Sequence, residues 1–342
     1  MAMIFASFVA LKSVGVDLAP GSYVLNLQIV ALSVAMILGP HCLLVLWRER
    51  PPSPIRYCAQ VIKENKATAL RALPLLLAVA LFMPTFSAMK SAIPLFNEFA
   101  WDSEFIAWDA AIHGTDPWRL LQPVLGFPVA TALLALAYHV WVLLIYPGSV
   151  YFAVYVRDDR LVLRYFTAFF LIWFLLGIAL ATWLASVGPV FLEPILGDPR
   201  FLEQTGYLVR ANEVVPIMVL PVQEQLLAGY EAGLHGLGRG ITAMPSMHVA
   251  LAFLFWIAAR QINQTFGRVM LGFMLIVLIG SVHLAYHYAV DGYVSVVLTL
   301  IVWKASALLT ADRQPMKFPR RHARGGFGND SDEYEEPGKL TE

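Results

Sequence analysis

The chain has 342 residues, of which 58% are hydrophobic and only 14% are charged, and its formal net charge is zero. Soluble domains average roughly 45–50% apolar residues and about 25% charged residues, so this composition excludes an ordinary soluble protein. The zero net charge argues against nucleic acid as a partner, because nucleic-acid-binding proteins carry an excess of basic residues.

The apolar residues occur in blocks of about twenty, the length that a helix needs to cross the hydrocarbon core of a membrane. Almost no charged residue interrupts them. Seven such blocks are present, at 22–47, 71–93, 124–147, 162–187, 244–260, 268–286 and 288–309. The sequence therefore predicts an all-α, polytopic membrane bundle. Nothing at the N-terminus resembles a cleaved signal peptide, because Lys12 follows the apolar start instead of preceding it.

Lysine and arginine residues predict the orientation, because the cytoplasmic loops of membrane proteins retain positive charge. With the N-terminus outside, every basic loop lies on the cytoplasmic side and the acidic loops lie outside. The basic residues are Arg48, Arg50, Arg56, Lys63, Lys66 and Arg71, then Arg157, Arg160 and Arg164, then Arg260 and Arg268, and then the cluster around Arg320. We therefore expect a multi-pass protein of the plasma (inner) membrane whose active site faces outward.

The spans and loops divide the chain into four parts. They are an outer N-terminal segment (1–21), a first span with its cytoplasmic loop (22–70), a catalytic membrane core (71–310) and a polar, disordered cytoplasmic tail (311–342). Within the core, the outer loop 188–243 is long enough to suggest a function, and we expect it to fold over the membrane surface. Residues 98–120 predict a helix in the outer interface, with Asp109 on its polar side. Cys42 and Cys58 are expected to be reduced thiols.

The segment Ala243-Met-Pro-Ser-Met-His248 gives the first indication of chemistry. Pro245 suits the first position of a helix, where its missing N–H would have no partner. The amides that follow, together with the Ser246 hydroxyl, then point out of a helix N-terminus, and such a terminus binds anions. His248 falls in the first turn, at the same outer level. Ser246 could equally serve only as a helix cap.

His287 and Asp291 form the second part of the predicted site. They lie four residues apart and share one face of a helix if the seventh span begins here. A carboxylate bonded to one imidazole nitrogen fixes the tautomer and raises the basicity of the other nitrogen, as nucleophilic catalysis requires. Two histidines, an aspartate and an anion-binding helix start on one membrane face predict a phosphoryl-transfer site. Asp291 could also bind His287 for a purely structural reason.

These residues carry a family resemblance. Pro-Ser-x-His at 245–248 followed by His-x-x-x-Asp at 287–291 resembles the type 2 phosphatidic acid phosphatase superfamily. Gly188-Pro-Val-Phe191 and His287-Tyr288 look most similar to its inositol phosphorylceramide synthase branch, and more distantly to sphingomyelin synthases. The resemblance implies a six-helix core formed by spans two to seven, with the first span as an addition. It also implies a phospholipid or sphingolipid substrate and no cofactor.

The resemblance assigns roles to three residues. It implies that His287 is the nucleophile that forms a phosphohistidine, that Asp291 orients it, and that His248 protonates the leaving oxygen. The resemblance to the synthase branch favours an inositolphosphotransferase type of reaction, in which a phosphoryl or phospho-alcohol group passes from a lipid donor to an alcohol.

The chain departs from the family pattern where the phosphate should bind. The phosphatase members carry a Lys-x6-Arg-Pro motif that is absent here, and Ser281 stands where they have an arginine. The loop 188–243 contains no lysine. Phosphate charge is therefore expected to be met by Arg200, Arg210 or Arg239, together with Ser246 and the backbone amides. Loss of the same basic residues in the phosphotransferase branch favours a transferase over a phosphatase.

Three alternatives remain open at this stage. The first is a lipid phosphate phosphatase of the same superfamily, which uses water as the acceptor. The second is a metal-dependent membrane enzyme, because His283, His287 and Asp291 recur every four residues and two histidines with a carboxylate can bind a metal. The third is a transporter or scaffold without catalytic activity, in which these residues would have only structural roles.

Overall fold

The computed structural model describes residues 2–236 and 238–311, and within these ranges every regular element is a helix. In chain order the helices are α1 (Ala2–Ser13), α2 (Pro20–Glu49), α3 (Pro54–Glu64), α4 (Lys66–Ser91), α5 (Ile93–Phe96), α6 (Asp102–His113), α7 (Pro117–Leu125), α8 (Pro128–Val140), α9 (Val142–Val154), α10 (Asp159–Phe174), α11 (Ala181–Trp183), α12 (Pro189–Leu196), α13 (Leu202–Val214), α14 (Val219–Glu231), α15 (Met247–Ile262), α16 (Gln264–His283) and α17 (Ala289–Ala311). A π-helical segment, Leu175–Leu180, joins α10 to α11, and a 3-10 turn, Pro199–Phe201, precedes α13. The prediction of an all-α membrane bundle is confirmed. The tail predicted after Ala311, with the basic cluster around Arg320, lies outside the described residues.

Within the described ranges, six continuous helical segments are long and apolar enough to cross a membrane. They are α2, α4, α8–α9 (Pro128–Val154), α10–α11 (Asp159–Trp183), α16 and α17. Each of them overlaps one predicted block, and the ends differ by at most seven residues, because an uninterrupted apolar run fixes the type of such a helix better than its extent. The predicted segment at the N-terminus is the short helix α1.

The remaining predicted block, 244–260, corresponds to α15, which begins three residues later than predicted and is shorter than a full span of about twenty residues. At a rise of about 1.5 Å per residue, its 16 residues span roughly 24 Å, less than the hydrocarbon core of about 30 Å. The helix begins only at Met247. The preceding residues 241–246 are not helical, and the amides of Ala243 and Met244 donate hydrogen bonds to Ser186. Most of α15 is buried between α10, α16 and α17. Its first turn therefore lies among protein side chains at one end of the bundle.

The two ends of the bundle differ in charge. At one end, Arg71 forms an ion pair with Asp159 and donates hydrogen bonds to the carbonyls of Ala153 (2.9 Å) and Val156 (3.0 Å). We call the opposite end the site end. There α4, α11 and α16 finish, α8, α15 and α17 begin, and the predicted catalytic residues lie. The helix α2 packs at the periphery of the bundle, because only 11% of its most apolar stretch is buried. This position agrees with the prediction that the first span is an addition to the core.

The acidic segment before the third span has a different role from the one predicted. Asp109 does not lie on the polar side of an interfacial helix, since both Asp102 and Asp109 are only 2% exposed. Asp109 accepts hydrogen bonds from the amides of Ala289 (2.8 Å) and Val290 (2.9 Å) and so caps the start of α17. The partner amides lie some 180 positions later in the chain, so the sequence pattern of α6 alone gave no sign of the contact.

Asp102 likewise accepts hydrogen bonds from two segments that are distant in the sequence. Its carboxylate accepts hydrogen bonds from the amides of Val187 (3.0 Å) and Gly188 (2.9 Å) and from the hydroxyl of Tyr288 (2.8 Å). Burial raises the pKa of Asp102, and these three donors oppose that shift. The helix α6 therefore connects the start of α17 to the start of the segment 188–243, which we call the outer segment after its prediction.

The outer segment 188–243 is mostly helical and covers the site end. Gln204 donates to the carbonyl of Val282 (2.7 Å) and Gln223 donates to that of Leu284 (2.9 Å), so the segment is bonded to the turn between α16 and α17. At the opposite end of the bundle, Cys42 and Cys58 are free thiols with their sulfurs 3.5 Å apart.

Replacing Asp109 tests its role in fixing the start of α17. In Asp109→Ala, two buried amides lose their acceptor, and each unsatisfied group costs about 1–3 kcal/mol. We expect a clearly lower thermal unfolding midpoint for the variant in detergent micelles. Glu104→Ala, at an exposed position of the same helix, is the matched control and should unfold like the wild type. Equal midpoints for the two variants would contradict this account of α6.

Candidate active site

The turn between α16 and α17 brings His287 and Asp291 together in a way that differs from the prediction. The two residues do not share a helix face, because α16 ends at His283 and α17 begins only at Ala289. His287 lies in the intervening turn, where Ala285 has a positive φ of 61°. The imidazole Nδ1 nevertheless lies 3.1 Å from Asp291 Oδ2, which also accepts the amide of Tyr288 at 3.0 Å.

This contact determines which nitrogen of His287 can react. A carboxylate only accepts hydrogen bonds, so Nδ1 carries the proton and Nε2 keeps its lone pair. Burial and then the charge of Lys90 lower the pKa of His287 to about 3, whereas a hydrogen bond with the Ala243 backbone works in the opposite direction. The ring is therefore neutral at physiological pH, which is the form required of a nucleophile.

Ser246 connects the two halves of the site. Its hydroxyl accepts the amide of Val249 at 3.4 Å and so caps α15, and its own amide donates to the backbone carbonyl of Asp291 at 3.4 Å. Ala243 and Met244 are fixed as well. The amide of Ala243 donates to the carbonyl of Ser186, and the amide of Met244 donates to its hydroxyl. Ser246 thus has the structural role of a cap, and its amide contacts Asp291, the partner of His287.

Gly188, at the start of the outer segment, allows a close approach to the same turn. Its φ is 84°, a conformation that side chains rarely permit, and a Cβ atom at this position would lie 2.7 Å from the carbonyl oxygen of Tyr286. The amide of Val190 then reaches the carbonyl of Ala285 at 2.9 Å. The Gly-Pro-Val-Phe sequence noted above therefore serves to join the outer segment to the turn that carries His287.

His248 lies next to His287, as the sequence predicted. The centroids of the two imidazole rings are 6.3 Å apart, and the ring planes are inclined at 61°. The His248 ring packs closely against Tyr138 (4.2 Å between centroids) and Trp141 (3.9 Å), which fix its position. Because a hydrogen bond spans about 2.8 Å, one phosphate group can contact both imidazoles at this separation.

The arginines proposed from the sequence lie in the outer segment and contact other groups. Arg200 forms an ion pair with Asp116 at 2.9 Å. The guanidinium of the exposed Arg210 lies over Gly206 in its own helix, and that of Arg239 lies against Gly229 of α14. None of these contacts is with His248 or His287.

Lys90 is the cation that the sequence analysis missed. It lies in the last turn of α4, where the backbone of Gly240 packs against Lys90 and Ser91. Its charge acts on both His248 and His287. A signal was present in the sequence, since a lysine inside an apolar span is by default a functional hypothesis. It was overlooked because it lies at the end of a span that carries no recognised motif.

His283 does not join the predicted metal ligands. Its Nε2 lies 2.9 Å from the hydroxyl of Thr131, on the helix α8, and its ring contacts Tyr207. Among residues 2–236 and 238–311 no group of three histidine, cysteine or carboxylate side chains is arranged to hold a metal ion. The ligand set of the metal-dependent alternative is therefore not assembled, because the helix that would have aligned it is broken after His283.

Comparison with known families agrees with this geometry. The sequence model of the PAP2 superfamily matches residues 103–305, which is more than half of the chain and contains His248, His287 and Asp291. The chain belongs to the PAP2 superfamily. Membership supports a membrane enzyme of the phosphatase or phosphotransferase type. No curated protein and no solved structure matched the chain. Lys90 precedes the PAP2 match, so no family motif marks its position.

The hydrogen bond between Asp291 and His287 can be tested by Asp291→Asn. An asparagine can present its NH₂ group to Nδ1 and so favour the wrong tautomer, and the corresponding change in serine proteases costs about 10⁴-fold in kcat. We expect a fall in kcat of about 10²- to 10⁴-fold with little change in the unfolding midpoint.

The matched control is Asp158→Asn. Asp158 is an exposed aspartate that caps the start of α10 at the opposite end of the bundle. It should retain wild-type kcat. A fully active Asp291→Asn enzyme would show that the carboxylate is only a structural partner of His287.

Proposed function

We propose that this PAP2 protein is a lipid phosphotransferase of the inositol phosphorylceramide synthase-like branch. It moves a phosphoryl or phospho-alcohol group from a phospholipid or sphingolipid to an alcohol acceptor through a phosphohistidine on His287. The observation that carries the proposal is the geometry of the pair. A neutral, oriented imidazole and a second imidazole lie 6.3 Å apart between ring centroids, at the same end of the bundle.

The first half-reaction forms the covalent intermediate. The Nε2 lone pair of His287 attacks phosphorus, and an N–P bond forms while the bond from phosphorus to the leaving oxygen breaks. The electron pair of that bond stays on the leaving oxygen, which takes a proton from His248. Asp291 stabilises the positive charge that develops on the His287 ring through its hydrogen bond to Nδ1.

The second half-reaction returns the enzyme to its starting state. The acceptor hydroxyl transfers its proton to His248, now neutral, and its oxygen attacks phosphorus. The N–P bond breaks, and its electron pair returns to Nε2 of His287. A histidine suits both steps because its protonated ring donates a proton and its neutral ring accepts one.

The choice between an alcohol and water depends on how well the site excludes water. The outer segment is bonded to the turn that holds His287 by Gln204, Gln223 and Val190. His248 is in turn packed between aromatic rings. A covered, aromatic site protects the intermediate from hydrolysis and favours transfer to a lipid-borne or membrane-bound alcohol. With water as the acceptor, the same residues would give a phosphatase, which is the second candidate.

The distribution of charge supports an outward-facing site. The loops at the opposite end of the bundle carry the arginines and lysines, and such loops stay in the cytoplasm. We therefore propose that the site end opens on the outer face of the plasma (inner) membrane. The donor would then come from the outer leaflet.

Product analysis tests the reaction type. Purified protein is incubated with a phospholipid labelled in its phosphate group, with and without diacylglycerol, ceramide or inositol as acceptors. We expect the label to move to one of these acceptors, and this transfer to be lost in His287→Ala. His41→Ala is the control, because His41 is exposed on α2 at the opposite end of the bundle, where its ring contacts Tyr155.

Two other outcomes would reject the proposal in different ways. Label recovered only in free phosphate or in a free phospho-alcohol would identify a phosphatase or another hydrolase. Transfer that survives in His287→Ala would exclude the covalent route altogether. Complete and reversible inactivation by a chelator would point instead to a metal-dependent reaction.

A further inference from the structure

The short helix α3, at the end of the bundle opposite the site end, carries an exposed apolar stripe, and none of its residues is buried. Ile55, Ala59 and Ile62 recur at intervals of four and three residues and so share one side of the helix. All three are exposed, Ile55 to 85% and Ile62 to 70%. We call these three residues the apolar face. An exposed apolar stripe on a helix with a charged second side is typical of a helix that lies on a membrane surface.

The charged side of α3 is formed by Arg56, Gln60 and Lys63, which are also exposed. Each of them directly follows a member of the apolar face in the sequence, so this side is turned by about 100° from the apolar face. When the apolar face points into the acyl chains, these longer polar side chains therefore lie at the level of the lipid headgroups.

The segment 48–66, which contains α3 and its flanks, is strongly basic. It holds five basic and two acidic residues, and one of the acidic residues, Glu64, accepts a hydrogen bond from Gln60 at 2.8 Å. Four exposed basic residues of this segment are named here the basic set: Arg50, Arg56, Lys63 and Lys66. Within the described ranges no carboxylate forms an ion pair with any of the four. Their counter-charge must come from outside the chain.

Contacts with α2 place α3 beside the end of a membrane span. The sulfur of Cys58 lies 3.5 Å from that of Cys42, which lies about two turns, or about 10 Å, before the end of α2 at Glu49. Between Cys42 and that end lies Trp47, which is 71% exposed, and exposed tryptophans at span ends are typical of the membrane–water interface. The helix α3 therefore lies at the level of the interface instead of projecting into water.

Short connections keep α3 at this level. Residues 50–53 join it to α2, and Asn65 alone joins it to α4. Four residues span at most about 14 Å, so neither end of α3 can move far from the ends of the two spans. Tyr57 and Cys58 are half-buried against the bundle, which leaves the apolar face turned away from the protein.

We propose that α3 binds the membrane surface at this end of the bundle, with its apolar face among the acyl chains and the basic set against the headgroups of anionic phospholipids. Basic residues next to a span strengthen attachment to an anionic leaflet by about five-fold each. An acidic soluble partner would meet the charges but leave the apolar face exposed, whereas a lipid surface satisfies both. The imidazole pair lies at the other end of the bundle, so the inference does not depend on the proposed reaction.

Spin labelling in proteoliposomes tests the insertion of the apolar face. The full-length chain with Cys42→Ser and Cys58→Ser receives a single labelling position by Ile62→Cys and is reconstituted into an equal mixture of phosphatidylcholine and phosphatidylglycerol. We expect the nitroxide to collide readily with oxygen and several-fold less often with a neutral, water-soluble nickel complex. Gln60→Cys in the same background is the matched control, and its label should collide mainly with the nickel complex.

Lipid retention tests the basic set. Protein extracted from the mixed membrane is analysed by native mass spectrometry for bound phosphatidylglycerol and phosphatidylcholine. We expect Arg56→Gln with Lys63→Gln to weaken the retention of phosphatidylglycerol by up to about 25-fold, without a change for phosphatidylcholine. Arg157→Gln with Arg160→Gln is the matched control, because it removes two exposed charges from the loop between α9 and α10 at the same end, and it should retain lipid like the wild type.

Three outcomes would overturn the proposal. Labels at positions 60 and 62 that collide equally with the nickel complex would show that the apolar face lies in water. Equal retention of phosphatidylglycerol by the two double variants would show that the basic set does not bind anionic lipid. Protection of the label at position 62 that depends on protein concentration would identify a second copy of the chain as the occupant. None of these measurements requires catalysis, so the inactive His287→Ala protein should give the same results, and failure here leaves the proposed function untouched.

Discussion

Burying the Asp291 carboxylate in an apolar bundle is costly unless hydrogen bonds replace the lost water. One of its oxygens accepts both His287 Nδ1 and the Tyr288 amide, and its backbone carbonyl accepts the amide of Ser246 and the hydroxyl of Ser295. The same residue therefore orients the His287 ring, closes the turn before α17 and joins that turn to the start of α15. The positions of both imidazoles follow from the bonds of its Oδ2 and carbonyl atoms, whereas its buried Oδ1 has no hydrogen-bond partner among the described residues.

Two other buried carboxylates extend the same principle. Asp102 and Asp109 lie on a helix outside the spans, yet they are satisfied by amides of the outer segment and of α17. Each carboxylate bonds to segments that are distant in sequence, so removing one would leave buried donors unpaired at the site end. The structure thus uses buried acidic groups to hold the loops that carry the proposed catalytic residues, while the apolar spans supply the scaffold.

Composition predicted the scaffold because apolar runs of this length have few alternatives, and Pro245-Ser-Met-His248 with His287 and Asp291 predicted residues that the fold brings together at the site end. The prediction failed where a contact joins distant parts of the chain. Asp109 looked like a solvated charge because its partner amides carry no side-chain signature. The shared helix face of His287 and Asp291 was wrong because one residue, Ala285, adopts a left-handed conformation and ends the helical spacing. Lys90 was missed since its proximity to the imidazoles depends on how α4 packs.

The most direct test of the account is the position of the covalent phosphorus. The enzyme is mixed rapidly with its labelled lipid donor in the absence of acceptor, quenched at alkaline pH where phosphohistidine is stable, and analysed by peptide mass spectrometry and phosphorus NMR. The account predicts a single adduct on Nε2 of His287, the nitrogen that Asp291 leaves free. An adduct on His248 or on Nδ1 of His287, or product formation with no histidine adduct at any time, would contradict it.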